Sequence, residues 1–229
     1  MILVDDNFST IITAVKEGRG IYKNIQKTVR YLLSSNIGEV LTIFLASVIA
    51  AIFSIKWGVP LLPTHLLWIN LITDSLPAFA LGMEKTEEDV MEEKPRPKNE
   101  SFFANGIGTS IIWQGIVIGL LTLASFIVGT VINSAASQTM AFLTLSSLQL
   151  FHAFNIKTEH SLFSRHTFNN KYLIFAFIIG MGLQFLIIYV APLANIFKLV
   201  PLGLTELLIA LGFALMMVVV MEVYKLFKK

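Results

Sequence analysis

The sequence predicts an all-α fold: a polytopic membrane bundle of six transmembrane helices with a short cytosolic N-terminal arm. Three observations carry this. Of the 229 residues, 55% are hydrophobic and only 14% charged, with a mean hydropathy of +0.73, whereas a soluble domain carries about 25% charged residues. Six apolar segments are long enough to span, each crossing needing about 20 residues. The cations divide unevenly between the connections: Lys56 and Lys198 fall on one side and the other 15 of the 17 Lys and Arg residues on the other. That positive-inside pattern puts both termini in the cytoplasm of a multi-pass protein of the cell membrane.

The same numbers limit function. A net charge of +2 implies no nucleic-acid partner; the lipid bilayer is the partner implied. The absence of cysteine excludes disulfides and thiolate metal sites. The first residues lack a basic stretch followed by an apolar core, so they do not form a signal peptide.

The arm opens with a strand-like Ile2 to Val4, a turn at Asp5 to Asn7, and a helix with apolar Ile11, Ile12 and Val15. A chain that opens on the end of a strand is either a short cytosolic arm or the tail of a longer N-terminal part. The stretch "YKNIQKTVRYLL", Tyr22 to Leu33, continues the first span into the cytosol as a basic amphipathic helix. It serves as an interfacial anchor or as a rigid stalk that carries motion into the membrane.

The first span is expected over Tyr31 to Ile55 and the second over Leu61 to Met83. The third covers Ile107 to Ile132, where Gly115 and Gly119 permit close helix approach. The fourth, Thr139 to Phe154, is the weakest, because Ser146, Ser147, Gln149 and His152 interrupt it. The fifth runs from Tyr172 to Tyr189 and the sixth from Leu204 to Tyr224, with Glu206 and Glu222 interfacial. Between the second and third spans, the charged, proline-bearing loop Glu84 to Phe103 is expected to be a solvated connector.

Two spans carry polar groups that a spanning helix avoids. A carboxylate near the membrane centre costs about 3 kcal/mol or more, and a proline breaks the helical ladder. Yet "SSNIGEV" holds Asn36 and Glu39 at i and i+3, and "WINLITDSLPA" holds Asn70, Thr73, Asp74 and Pro77. Each set shares a helix face, and a short outer connection makes the two helices neighbours. All the donors are oxygens, the set that hard cations such as Ca²⁺ take; no histidine or cysteine belongs to it, which argues against zinc or copper. Pro77 leaves the Thr73 carbonyl free, and an unwound turn at mid-membrane is tolerated where it lines an ion cavity. Helix-to-helix hydrogen bonding is the plainer alternative, but two carboxylates with no intramembrane Lys or Arg do not fit it. Gln149 is a further ligand or plain glue. His152 is expected to be packed, and Gln114 and Gln184 to be helix contacts.

The segments "VDDNFSTIITAVKEGRGIYKNIQKTVRYLLSSNIGEV" and "LLWINLITDSLPAFALGMEK" closely resemble the P-type calcium-transporting ATPases, the sarco/endoplasmic reticulum kind and its bacterial relatives. The resemblance runs over the whole chain. It implies that residues 1–27 are the end of the phosphorylation domain and the start of the stalk helix, and that residues 28–229 are a membrane domain equivalent to helices five to ten. It implies calcium ligands at Asn36 and Glu39 on helix five and at Asn70, Thr73 and Asp74 on helix six. Asp74 would be shared between two ion sites. On helix eight the family's glutamate falls on Gln149, which departs from the two-calcium pattern.

The D-K-T-G and G-D-G-x-N-D motifs that carry phosphorylation in this family are absent from the sequence. The chain alone is therefore expected not to hydrolyse ATP; ATP and Mg²⁺ would act only in the complete pump. The N-terminal half of that pump, with its phosphorylation, nucleotide-binding and actuator domains and helices one to four, is the implied partner. Tilting of the stalk would rearrange Glu39 and Asp74, release the ions outward, and leave the carboxylates to take up protons. Two alternatives stay open: a separately encoded membrane binding or assembly subunit, and another cation transporter, for Mn²⁺ or a different ion, or a channel using the same oxygens.

Overall fold

The computed structural model describes residues 8–86, 88–92, 97, 99–158, 162 and 169–227. The expected strand end and turn before Phe8, together with Arg165, Lys228 and Lys229, lie outside the described residues. Among the described residues there is no strand. Among the described residues, four helices are long and apolar enough to cross a membrane.

Helix α1 runs unbroken from Phe8 to Phe53 over 46 residues. At 1.5 Å per residue that is about 69 Å, against roughly 30 Å of bilayer hydrocarbon. No proline interrupts it, so the arm helix, the basic stretch and the first span fuse into one rod. The second span is broken into α2 (Pro63–Trp68), a π-helical turn over Ile69–Thr73, and α3 (Ser75–Gly82). Helix α4 is Ile107–Ile132 and α5 is Ser137–Lys157. Helix α6 is Lys171–Tyr189, followed by the short α7 (Ala191–Phe197) and by α8 (Leu204–Phe227).

Helix α5 explains the weak fourth span. Nearly all of its side chains are buried, including Thr144, Ser146, Ser147, Gln149, His152 and Asn155 at 0% exposure. A helix that meets protein on every side need not be apolar, because its hydroxyls find partners there. The Thr144 hydroxyl donates to Ser125 Oγ of α4 at 2.7 Å and lies 3.1 Å from the Ala210 carbonyl of α8.

Helices α1 and α4 meet through small residues, as the glycine spacing predicts. A β-carbon on Gly115 would come within 3.0 Å of the Ser34 carbonyl, and one on Gly119 within 3.1 Å of the Gly38 carbonyl. Any side chain at these positions would hold the backbones apart.

The Glu84 to Phe103 connector is exposed at most of its described positions, Met91, Glu92, Asn99 and Phe103 among them, but it is also anchored. It seats on the basic half of α1: Arg19 Nη1 donates to the Val90 carbonyl at 3.0 Å, and Asn24 Nδ2 to the Glu84 carbonyl at 2.6 Å. Tyr22 packs edge-on against Phe102, and Val90 is fully buried. The physical reason is the rod itself. A helix that projects past the membrane offers side-chain donors to loop carbonyls that water would otherwise satisfy.

Candidate cation-binding site

The polar groups of the two expected spans converge around Glu39. Its side chain is 3% exposed. Asn70 Nδ2, from the π-helical turn, donates to Glu39 Oε2 at 2.9 Å. Gln149 Nε2, from α5, donates to Glu39 Oε1 at 3.0 Å. One carboxylate thus ties three segments together. Asn70 is fixed in turn by a 3.0 Å bond to the Leu66 carbonyl.

Asp74 is fully buried just beyond the wide turn. Tyr31 Oη, two turns earlier than Glu39 on α1, donates to Asp74 Oδ1 at 2.9 Å. Asp74 Oδ2 is buried with no hydrogen-bond partner, as are Gln149 Oε1 and Gln184 Oε1. Thr73 Oγ1 accepts from Gln184 Nε2 of α6 at 2.6 Å. Five of the six expected ligands therefore lie in three hydrogen-bonded groups: Glu39 with Asn70 and Gln149, Asp74 with Tyr31, and Thr73 with Gln184. The sixth is not brought in: Asn36 is exposed, on an α1 stripe with Leu33, Val40 and Phe44.

The break in the second span takes a form the sequence did not specify. The chain is not unwound. The Asp74 amide donates to the Ile69 carbonyl at 2.8 Å, an i to i−5 bond that closes a π turn. A turn of this kind carries one extra residue and re-aims the side chains around it; it occurs mostly at functional positions. It sits directly before Asp74 and holds Asn70 and Thr73.

The hydrogen-bond partners of both carboxylates are neutral: Asn70 and Gln149 on Glu39, and Tyr31 on Asp74. A buried charge without a counter-charge is expensive, and so is a buried polar atom without a hydrogen-bond partner. Among the described residues no three His, Cys, Asp or Glu groups come together. The site thus offers two carboxylates supplemented by amide and hydroxyl oxygens, a donor set for a hard cation and not for a soft one.

Tyr31 and Gln184 are the participants that pattern reading did not assign to the site. Gln184 had a signal, as a lone amide in the fifth span, and its contact is indeed between helices. Tyr31 had none, because a tyrosine at the start of a span reads as an interfacial residue. His152 is packed, as expected, with Nε2 3.1 Å from Ser34 Oγ.

A family model described as cation transporting ATPase, C-terminus, matches residues 58–227. The chain is similar to calcium-transporting ATPase 1 of Bacillus cereus, at 44% identity over 100% of this chain and 27% of that protein. It is similar to the calcium-transporting ATPase of Bacillus subtilis, at 44% identity over 93% of this chain and 24% of that protein. It is also similar to the endoplasmic reticulum-type calcium-transporting ATPase 3 of Arabidopsis thaliana, at 34% identity over 98% of this chain and 25% of that protein. The chain spans about a quarter of the length of these curated relatives.

Proposed function

Because the chain belongs to the family of cation-transporting ATPase C-termini, we propose that it forms the ion-holding membrane half of an ATP-driven calcium pump. Glu39, Asn70, Thr73, Asp74 and Gln149 supply oxygens to the ion, and Asn36 completes the set once further membrane helices cover its face. Residues 1–27 form the end of the phosphorylation domain and the stalk start, and residues 28–229 the membrane domain. Both termini are cytoplasmic and the bilayer is the cell membrane. The remaining domains, with ATP and Mg²⁺, drive the cycle.

The observation that carries this reading is the Glu39 junction, where one buried carboxylate is held by Asn70 and Gln149 with no cationic side chain recorded on it. Its placement suggests the mechanism. Glu39 lies on the same unbroken rod as the basic cytosolic stretch, so a push on the stalk moves Glu39 against Asn70. Separation of the two would open the ion cage, and protons would replace the ion on the emptied carboxylates. Gln149 supports one Ca²⁺ per cycle. A neutral amide replaces a glutamate of the resembling pumps, and two divalent ions a few Å apart repel strongly unless anions lie between them.

The test is a chimera in which this chain replaces the matching quarter of the Bacillus cereus relative. Asp74→Asn is expected to abolish calcium-dependent phosphorylation from ATP while phosphorylation from inorganic phosphate survives, since the latter needs an empty site. Unchanged calcium activation would remove Asp74 from the ligand set. Competition by Mn²⁺ in the same assay fixes the ion.

A further inference from the structure

At the end of the ligand-bearing helix that lies away from the stalk, a histidine bridges α2 to the end of α7. His65 is the third residue of α2 and is fully buried. Its Nδ1 accepts the backbone N–H of Leu62 at 3.2 Å, capping the helix start. Its Nε2 lies 2.7 Å from the carbonyl oxygen of Phe197, at the end of α7. The ring rests on Phe142 of α5 at 5.2 Å between centroids, and Trp68 meets Phe197 edge-on at the same distance.

These partners fix the state of the ring. A backbone N–H can only donate and a carbonyl can only accept. The hydrogen must therefore sit on Nε2 and a lone pair on Nδ1, so the imidazole is neutral and in one tautomer. A second proton would turn Nδ1 into a donor aimed at another donor. The Leu62 bond would break, and a charge would be left against Phe142. Among the described residues no carboxylate is hydrogen-bonded to the ring, whose two partners are the Leu62 amide and the Phe197 carbonyl. Helix α2 has no other ionisable residue, and α5 carries only Lys157, at its far end, besides His152. The charges near this end are Lys56 and Lys198, both positive, and Glu206, which accepts from Asn133 at 3.2 Å.

The latch connects to the ion site through one turn of helix. Asn70 Nδ2 bonds both the Leu66 carbonyl, next to His65, and Glu39 Oε2. We propose that His65 is a positioning residue: its neutral ring pins the outer end of α2 to the α7 end and so holds Asn70 on Glu39, and its protonation releases both. Acid on the outer face thereby lowers cation affinity. The coupling to cation affinity rests on the calcium reading above; the latch itself does not.

Trp68 gives a readout that needs no ion. In the chain in detergent, with Trp57→Phe and Trp113→Phe leaving one tryptophan, Trp68 emission is expected to change in a single-proton step as the pH is lowered from neutral. In His65→Gln the step disappears, because the amide keeps a donor and an acceptor but does not titrate. In the chimera, calcium affinity of the unmodified chain is expected to fall by about tenfold more than that of His65→Gln over the same step, about 1.4 kcal/mol. His65→Leu, which removes both bonds, is expected to weaken calcium binding about tenfold at neutral pH, where His65→Gln stays within about twofold. A flat Trp68 signal, or the same step in His65→Gln, overturns the latch. A Trp68 step without any calcium binding leaves the latch standing and removes the calcium reading. Superimposable affinity profiles in the two proteins overturn the coupling.

Discussion

Glu39 and Asp74 differ in what they lack. Both oxygens of Glu39 are occupied by amide donors, whereas Asp74 keeps Oδ2 free and buried. Asp74 is thus the group with a coordination position still open, and Glu39 the one that must exchange amide hydrogens for an ion. Glu39→Gln is expected to lower calcium affinity by about a hundredfold, roughly 2.8 kcal/mol, measured by isotope binding to the chimera. An unchanged affinity would show that the carboxylate is structural. Gln149→Glu places a third carboxylate beside Glu39 and is expected to raise the stoichiometry from one ion to two; a ratio that stays at one would mean that charge is not what limits it. At this scale the sequence was informative wherever a residue violated the rules of its medium. An aspartate, a glutamate and two asparagines in apolar spans announce themselves. Tyr31 and His65 do not, because an aromatic or a histidine near a span end satisfies ordinary expectations, and only the geometry shows what each one holds.

The elements divide the same way. Long apolar runs made α4, α6 and α8 legible, and the glycines of α4 gave its close approach to α1. The wide turn over Ile69–Thr73 was not legible, since Pro77 marks a break but not its form. If the extra residue of that turn sets the aim of Asn70, deleting Ile72 should convert it to regular helix and rotate Asn70 relative to Asp74 by about 100°. The variant is expected to fold, with helical circular dichroism retained, yet to bind calcium at least about tenfold more weakly. Undiminished binding would deny the turn a role. The ends of α3 and α5 and the start of α6 are tied by a second element-level device. Glu84 follows α3; its carboxylate lies 3.6 Å from the buried Lys157 at the end of α5 and accepts from Asn170 Nδ2, the cap of α6, at 2.6 Å. Burial pulls the Lys157 ammonium below the ordinary lysine value and Glu84 opposes that shift. Glu84→Gln takes a counter-charge from this buried ammonium and is expected to cost about 2 kcal/mol, and Glu84→Gln with Lys157→Met about 1 kcal/mol or less. Thermal unfolding in detergent measures both. Equal losses would show that the ions do not interact.

At the scale of the whole molecule, two exposed stripes flank the site: Leu33, Asn36, Val40 and Phe44 on α1, and Leu67, Leu71 and Phe79 on the broken span. Lipid could cover the apolar members, but Asn36 asks for a polar partner, as a neighbouring helix would supply. The i, i+3 spacing with Glu39 made Asn36 a candidate ligand, but in this chain Glu39 is buried and Asn36 is exposed, outside the network. The chain alone is expected to show no ATP hydrolysis in lipid, since it has no phosphoryl acceptor motif; calcium-stimulated phosphate release from it would overturn the division of labour argued above. The central proposal is that Glu39 and Asp74 hold the transported ion together. Equilibrium calcium binding to the purified chimera, counted per phosphorylation site, tests that most directly. The expected result is one ion per site, lost in Asp74→Asn and weakened about a hundredfold in Glu39→Gln; calcium bound with the same affinity and stoichiometry in both variants would contradict it.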